Sequence, residues 1–567
     1  MSKAWKFKSC DEALAEKLFQ TLGNLPRPLA TLLAQRGCKT EEEACAFMNP
    51  ALSMLQNPFD LPDMQPAVER IRRALLDGER ITVFGDYDAD GICSTSLMVR
   101  VLRELGGSVS SYIPNRLEDG YGLSPESLAV CVEANHPTLI VTVDCGTSSV
   151  EAIEAAKTQG IDVVITDHHE PGGQVANAVA VVNPKRVENH PASILAGVGV
   201  AFKLCHALIK VGRDAGCPVS ASVDLKNYLD FVAVATVTDM VPLCGENRTL
   251  VRAGLQSLEH SIWPGWNALK KLAGINGPIE TWHAGFTFGP RINAAGRVGR
   301  ADAALELFLT DLPERADELA QLLDSANRER QEIEKGIIKE AIDEIDGYFD
   351  ENKDFGLVIA NDGWHAGVIG IVASRLVKRY GRPVAVVGLD GESGRGSCRS
   401  IDGFSVLDGL NACSDLLMRF GGHDMAAGLE VRTEHIAEFK KRFNAFATER
   451  FKDADLGPVL QIDRAVDLSE VNTELMAGLR RIGPFGQDNP EPVWALLNVG
   501  AENAKILKEK HLKLTLSDGK NRCDAIGFNM AEKFPSGPVD VAFTLQENAW
   551  NGKIDLQLNL KDIRSAK

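Results

Sequence analysis

The sequence predicts an α/β protein built on a parallel sheet, continued by a second α/β segment and closed by an all-β segment. Three observations carry this. Between residues 66 and 245, short runs rich in valine and isoleucine alternate with helical patterns. From 311 to 348 a charged, glycine-poor stretch, "PERADELAQLLDSANRERQEIEKGIIKEAIDEI", interrupts that alternation. After residue 455 the pattern changes to short strands separated by turns. Strands that are apolar on both faces and joined by helical crossovers belong to parallel sheets, because helices cover both sides.

Taken in order, residues 1–50 predict two short helices, "LPRPLATLLAQRG" and "TEEEACAFMNP", closed by Gly37 and Pro50. The parallel sheet takes "RITVFGD", "SVSSYIP", "LIVTVDCG", "DVVITDHH" and "AVAVVNP" as strands, with helices such as "STSLMVRVLRELG" and "SVEAIEAAKTQG" between them. The stretch from 311 to 348 reads as one or two long helices linking two domains, since no sustained seven-residue repeat supports a coiled coil. Residues 355–448 repeat the α/β pattern, with strands "GLVIA" and "PVAVVGL" and glycine clusters "DGESGRGS" and "FGGH". The final "HLKLTLSDGK", "CDAIGFN" and "VDVAFTLQENAWNGKIDLQLNL" predict a small barrel of the OB-fold kind.

A chain of 567 residues exceeds one core and calls for three or four domains. No apolar run reaches the ~18 residues a membrane span requires, and the opening "MSKAWKFKSCDEAL" has no apolar export signal. Twelve cysteines without a C-x-x-C pair, several inside apolar runs such as that around Cys205, suit reduced thiols in a cytoplasmic protein. The net charge of −17 is unevenly distributed: residues 455–567 carry 14 basic against 16 acidic side chains, so nearly all the surplus acid lies earlier. Such a balance excludes a protein that coats polyanions over its whole surface, though not one that binds them locally.

The chemistry is announced by "ITVFGDYDADGI", in which an apolar strand runs into Asp86, Asp88 and Asp90. Like charges at that spacing repel unless a cation lies between them. An EF-hand loop is excluded, because its twelfth position is Leu97 and the preceding segment reads as strand. Three further clusters follow apolar runs read as strands: Asp144 in "VTVDCG", Asp167, His168 and His169 in "VITDHHE", and Asp239 in "VAVATVTDMVPL". The carboxyl ends of parallel strands share one edge, so the four clusters are expected to converge. Residues two apart on a strand point the same way, which would aim the three aspartates at one site. Several carboxylates with imidazole, and no cysteine nearby in ligand spacing, suit Mg2+ or Mn2+. Two ions sharing a carboxylate could deprotonate water and steady both oxygens of an in-line phosphoryl displacement. Asp167 either orients the histidine pair or joins the ligands. Any one of these acids alone reads more simply as a helix cap or turn residue; only the four clusters together point to a cation site.

"DHH" after a strand, preceded by "DYDADG" and "VDCG", resembles the DHH phosphoesterase superfamily. "IPNRLEDGYGLS", "DMVPLCGENR", "GPRINAAGRVGRADAAL", "WHAGVIGIVASRL", "GSCRSIDGFSVLDGL", "GGHDMAAG", "PFGQDNPEPVW" and "NAWNGKIDLQL" extend the likeness to the RecJ family of bacterial single-strand-specific 5′-to-3′ DNA exonucleases. It runs from about residue 50 to the C-terminus. The resemblance implies an N-terminal helical segment (1–50), a DHH domain (51–305), connecting helices (306–350), a DHHA1 domain (351–450) and an OB-fold domain (455–567). It implies two ions, Mn2+ or Mg2+. Asp90, Asp144, His168 and Asp239 would hold one, Asp88 and Asp144 the other with Asp86 close by. His169 would contact the scissile phosphate or assist proton transfer. Arg116, Tyr121, Ser397, Arg399 and His423 match the family's 5′-phosphate pocket, with Gly421–Gly422 letting backbone approach. Arg291, Asn293 and Arg297 would contact the strand.

The implied substrate is single-stranded DNA, degraded from its 5′ end to mononucleotides during repair and recombination. The implied form is a cytoplasmic monomer working beside a single-stranded-DNA-binding protein and a helicase. Two departures stand out. "LQIDRAVDL" and "PFGQDNPEP" are more acidic than a DNA-binding face should be, and the family commonly has glycine near Asp488. Trp550 and Phe528 are candidate base-stacking residues of the last domain, a core role being at least as natural for Phe528. The competing readings are a hydrolase of small phosphoesters, which the terminal β segment argues against, and a non-catalytic scaffold, which the full acidic set argues against.

Overall fold

The computed structural model describes residues 3–566 apart from 24, 115–121, 299–300, 453–455, 534–536 and 551–552. The candidate phosphate ligands Arg116 and Tyr121 therefore lie outside the described residues, as does the side chain of Trp550. The chain forms two units. The larger comprises Trp5–Ile292, Ala301–Ala320 and Val459–Lys567; the smaller comprises Met1–Ala4, Asn293–Arg300 and Gln321–Pro458.

In the larger unit, β1 (Arg80–Phe84), β2 (Ser108–Tyr112), β3 (Leu139–Val143), β4 (Asp162–Thr166) and β5 (Ala180–Val182) form an all-parallel sheet ordered β2-β1-β3-β4-β5. These are the five strands the valine- and isoleucine-rich runs predict. Because β2 and β3 flank β1 on opposite sides, the chain direction across the sheet reverses there. The carboxyl ends of β1 and β3 thus open the crevice where ligands bind in such sheets.

Around it pack α1 (Ala89–Glu104), α2 (Gly197–Asp214), α3 (Leu229–Thr238) and α4 (Gly245–Glu259). The run before Asp239 corrects the sequence reading: "FVAVATVT" is not a strand but part of helix α3. Eight of its residues, Leu229 through Thr236, are buried. A helix covered on every side shows no 3.6-residue polar rhythm, so its valine-rich sequence imitates a buried strand. Phe231 of α3 sits in a ring cluster with Trp266 and Phe308, each at 5.4 Å.

The long charged stretch forms one 34-residue helix, α5 (Pro313–Asp346). In the smaller unit its later turns cover a mixed sheet of β6 (Leu357–Asp362), β7 (Val384–Asp390), β8 (Ser393–Arg399), β9 (Leu417–His423) and β10 (Ala426–Arg432), ordered β9-β10-β8-β7-β6. Ile337, Ala341 and Ile345 of α5 pack with Val372 and Leu376 of α6 (Ile369–Tyr380) on one face. Phe439 and Phe443 of α7 (Ile436–Phe451) fill the other.

The C-terminal segment, back in the larger unit, is a closed barrel. β11 (Trp494–Leu507), β12 (His511–Ser517), β13 (Arg522–Gly527), β15 (Lys553–Ser565) and β14 (Val539–Trp550) follow one another, and β14 pairs with β11 to close it. The β13–β15 pairing is parallel, as in an OB-fold. The N-terminal helices do not stand alone. Leu18, Leu29, Leu33 and Met48 share one core with Leu475 and Leu479 of α8 (Thr473–Ile482) and with Trp494, Leu514 and Phe543 of the barrel. Short amphipathic helices cannot bury their apolar stripe alone, and the barrel covers it. The strand Ala4–Phe7, which the sequence reading did not predict, pairs with Val459–Ile462.

The acidic motifs of the last domain also find their reason here. Asp463 is buried, bound to Lys8 at 2.8 Å and accepting from Val493 N at 2.8 Å. Asp467 caps a short 3-10 turn reciprocally with Glu470. Asp488 has φ 57°, a left-handed position that favours glycine and tolerates aspartate. "PFGQDNPEP" faces the segments that follow the parallel sheet: Leu243 N donates to Gln487 O at 2.8 Å, Thr281 Oγ1 to Phe485 O at 2.7 Å. Phe528 is half exposed, edge-on to His511, so it is no core residue.

Arg248 of α4 ties these parts together. Its buried guanidinium donates to Arg481 O, Ile482 O and Gly483 O at 2.8–2.9 Å, to Phe47 O, and lies 4.0 Å over the Phe47 ring. The carbonyls are those left unpaired at the end of α8, where a cation also meets the negative end of the helix dipole. Burial pulls its pKa down to about 10, so it keeps its charge at neutral pH. Arg248→Ala should cost about 3–5 kcal/mol, read as a lower thermal midpoint and faster proteolytic release of the C-terminal barrel; an unchanged midpoint would contradict this role.

Candidate metal centre and phosphate-binding groups

The aspartates of "DYDADGI" reach the sheet edge by a different route from strand alternation. β1 ends at Phe84; Asp88 then caps α1, its Oδ1 accepting from Asp90 N at 2.9 Å and Gly91 N at 3.0 Å. Asp90 lies in the helix's first turn. A side chain on Gly91 would come within 2.3 Å of Asp86 O, so the turn needs glycine there. Asp90 is held by the N-terminus of α2: Gly197 N and Val198 N donate to its two oxygens at 2.7 and 2.8 Å. A helix N-terminus is a natural seat for a carboxylate.

Asp144 follows β3 with φ 61°, a left-handed conformation that costs a non-glycine residue about 1–2 kcal/mol. Gly197 makes room for it, since a Cβ there would sit 2.6 Å from Asp144 Oδ1. Asp167, after β4, faces away from the centre. Its oxygens accept from Thr147 N at 2.9 Å, His168 N at 2.7 Å and His169 N at 3.1 Å, and its Oδ1 meets His169 Nδ1 at 2.8 Å. It orients the histidines. Asn183 completes the support by donating to Thr147 Oγ1 and to His169 O, each at 2.9 Å. Asp239 is the C-cap of α3.

The result is three overlapping clusters among the described residues, Asp86 with Asp88 and Asp144, Asp90 with His168 and Asp239, and Asp144 with His168 and His169, the ligand atoms of each within 4.8 Å of one another. His168 Nε2 joins them, 3.1 Å from Asp144 Oδ1, 3.6 Å from Asp239 and 3.8 Å from Asp90. Two like charges at 4 Å repel by about 4 kcal/mol at an effective dielectric of 20. Burial, then the neighbouring acids, push Asp90 up to about 7 and Asp239 up to about 8, and Asp144 well above the carboxylate range. Burial and then the His169 charge push His168 down to about 3. Its Nε2 and Asp144 Oδ1 are both buried without a hydrogen-bond partner. Oxygen-rich ligands, one neutral imidazole and two orphaned acceptor atoms in contact fit divalent cations. His169 behaves oppositely: burial lowers its pKa, but the hydrogen bond and charge of Asp167 outweigh this and raise it to about 9.

The second group lies in the smaller unit. Ser397 and Arg399, two apart on β8, share a face beside the first turn of α6. A Cβ on Gly370 would lie 3.1 Å from Ser397 Oγ and 3.2 Å from Arg399 Nη2. Arg399 Nη1 donates to Ser397 Oγ at 2.9 Å. Gly422, with φ 144°, and exposed His423 end β9; any side chain at 422 would strike Ala426 O at 2.5 Å. Arg291, Asn293 and Arg297 lie along the helix Gly289–Val298, Arg291 donating to Thr287 O and Arg297 to Gly367 O. None of these belongs to the metal clusters.

Sequence reasoning missed Gly197, Val198, Thr147 and Asn183. Asn183 could have been found, because it ends the fifth strand as the acidic clusters end others. Gly197 could not, since its role is set by Asp144, 53 positions away.

The chain is similar to known proteins over almost its whole length. The chain matches the DHH family N-terminal domain over residues 80–236, the DHHA1 domain over 353–449 and the RecJ OB domain over 462–562. Single-stranded-DNA-specific exonuclease RecJ of Bacillus subtilis (strain 168) is 36% identical over 569 residues, covering 98% of this chain and 70% of that protein. RecJ of Escherichia coli (strain K12) is 37% identical over 564 residues, covering 95% and 96%. The crystal structure of RecJ in complex with Mn2+ from Thermus thermophilus superposes with a TM-score of 0.86 at 30% identity, covering 100% of this chain and 80% of that one. The complex with Mg2+ from the same source gives 0.78, also at 30% identity, covering 100% and 79%.

The raised carboxyl groups make cation binding proton-linked. Unfolded aspartates release protons near 4, whereas Asp90 and Asp239 hold theirs to about 7 and 8. Without a cation, the folded state therefore binds more protons over this window and loses stability as pH rises. Calorimetric titration with Mn2+ should show proton release, affinity rising from pH 6 to 8.5, and a larger thermal stabilisation by Mn2+ at pH 8 than at pH 6. Binding that is flat across this range would contradict the assignment.

Proposed function

From its membership of the RecJ family of single-stranded-DNA-specific exonucleases, to which this chain belongs, we propose that it hydrolyses single-stranded DNA from the 5′ end and releases 5′-mononucleotides. The observation that carries the reading is the double acidic cluster joined at Asp144 and His168. Asp86, Asp88 and Asp144 would hold one ion; Asp90, His168 and Asp239, with Asp144 as the shared carboxylate, would hold the other. When bound, Mn2+ or Mg2+ offsets the carboxylate charge and supplies Lewis acidity for attack of water on a phosphodiester.

The chain's own groups do the rest. His169, kept protonated by Asp167 and with its side chain 43% exposed, is placed to contact a phosphate oxygen and to give a proton to the leaving oxygen. Ser397, Arg399, Gly422 and His423 take the terminal 5′-phosphate, a role that the family resemblance also gives to Arg116 and Tyr121. A guanidinium fork beside a hydroxyl and a helix's first turn suits that dianion. Arg291, Asn293 and Arg297 steady the following strand. The domain boundaries implied by the sequence reading stand as part of this proposal.

No described helix is long and apolar enough to cross a membrane, and all twelve cysteines are free thiols. By family resemblance, the proposal places the protein in the cytoplasm, acting in repair and recombination as a monomer beside a single-stranded-DNA-binding protein and a helicase.

Strands labelled separately at each end provide the test. The 5′ label should appear at once as mononucleotide with Mn2+ or Mg2+, with no release in EDTA or from duplex; release of the 3′ label first would reverse the polarity. Asp144→Ala should abolish turnover while the fold is retained, and residual activity would overturn the ligand assignment. Arg399→Ala should erase the preference for 5′-phosphorylated over 5′-hydroxyl ends, expected at about tenfold for a charge-assisted contact.

A further inference from the structure

The loop and π-helical turn beside Asp239 expose apolar side chains that the fold itself does not use. Met240, directly after this ligand, is 71% exposed and has φ 59°, a left-handed conformation unfavourable for methionine. Trp282 is 52% exposed and Phe286 80% exposed, four residues apart on the turn formed by Thr281–His283 and the π-helix Ala284–Phe288. At that spacing the two rings share a face. Large aromatics are normally withdrawn from water, and an exposed group of them marks a binding surface.

The turn is built to hold these rings outward, on a segment that packs against the end of α3. His283 is buried and stacks on one face of the Trp282 indole, centroids 3.7 Å apart, leaving the rest of the ring to solvent. His283 is itself fixed, accepting from Glu280 N at 3.0 Å. Phe288 anchors the other end of the turn against Trp266, 5.9 Å away. A Cβ on Gly285 would lie 3.7 Å from Val237 Cγ1, and one on Gly289 2.8 Å from Thr238. Phe286 therefore projects from a turn that packs on the last residues of α3, the helix that ends at Asp239. π-Helical turns within helices are a common feature of functional sites.

We propose that Trp282 and Phe286 form a stacking platform for unpaired bases of the strand whose backbone enters the metal centre. This rests on the exonuclease reading and adds to it a source of single-strand selectivity. The occupant follows from continuity with the metal centre. A polynucleotide whose phosphates engage the cations must place its bases against the surroundings of Asp239, and aromatic faces receive any base regardless of sequence. A duplex keeps its bases stacked inside and cannot offer them, so only an unpaired strand gains this interaction.

The test compares KM for a 5′-phosphorylated strand with KM for the same strand carrying consecutive abasic sites near its 5′ end. The unmodified protein should bind the abasic strand about tenfold more weakly per stacked base lost. In Trp282→Ala/Phe286→Ala, with its thermal midpoint retained, this discrimination should collapse toward unity, and Trp282→Phe/Phe286→Tyr should restore it. Undiminished discrimination in the double alanine variant overturns the proposal. So does an equal loss on both strands, which would mean a merely structural role. A change in oligomeric state with unaltered DNA kinetics overturns it too, assigning the patch to contact between copies of the chain. Failure of the unmodified protein to cut single-stranded DNA at all would overturn the exonuclease reading itself, and appears in the control before any variant is compared.

Discussion

Everything at the centre of this protein is organised around mutual repulsion. Asp86, Asp88, Asp90, Asp144 and Asp239 converge at one sheet edge, three of them buried, with a neutral histidine touching both clusters. Left to itself that charge would take up protons, which is the direction in which Asp90, Asp144 and Asp239 are driven. Divalent cations invert the local electrostatics, turning a site that should repel phosphate into one that attracts it. An overall charge of −17 is therefore compatible with a polyanionic substrate, provided that the acid surplus is spent where cations bind.

The scaffold's task is to hold the repelling groups in place before any cation arrives. It does so with backbone amides. The N-terminus of α2 donates to both oxygens of Asp90, the first turn of α1 to Asp88, and Thr147, His168 and His169 amides to Asp167. Gly91 and Gly197 are the necessary complement, because a single Cβ at either would collide with the chain that carries a ligand. Asp239, on the end of a helix rather than a strand, is steadied differently. The barrel's 484–492 loop binds the segment just after it through Leu243, and Arg248 locks that region to the end of α8 and to the N-terminal helices. Thus the terminal domain supports the metal centre mechanically, whatever it contributes to binding.

The parallel sheet and the barrel were legible because their strands are short, apolar and punctuated by turns, and the long helix because nothing interrupts its charge pattern. Helix α3 was not, since complete burial removes the polar face that would have given its period away. The convergence of Asp86, Asp88 and Asp90 was legible, but its mechanism was not: a strand-to-helix turn permitted by Gly91 does what strand alternation was expected to do. The short strand Ala4–Phe7 was invisible because its partner, Val459–Ile462, lies more than 450 residues away.

By itself, the sequence determined which groups are available for chemistry. Acids and histidines at the ends of apolar runs in an α/β pattern have few uses other than a cation site, and spacing within each motif is a local property. Tertiary structure alone decided which of those groups gather at a common cation site and which support them. Asp167 and Asp144 look alike in sequence, each an aspartate after a valine- or isoleucine-rich strand. One is satisfied by three amides and an imidazole, the other has a buried oxygen without a partner. The same holds for the aromatic turn at 282–286, whose exposure and packing on the end of α3 no local pattern announces. Burial and hydrogen-bond satisfaction depend on contacts distant in the chain, so no local reading of residues could have assigned them.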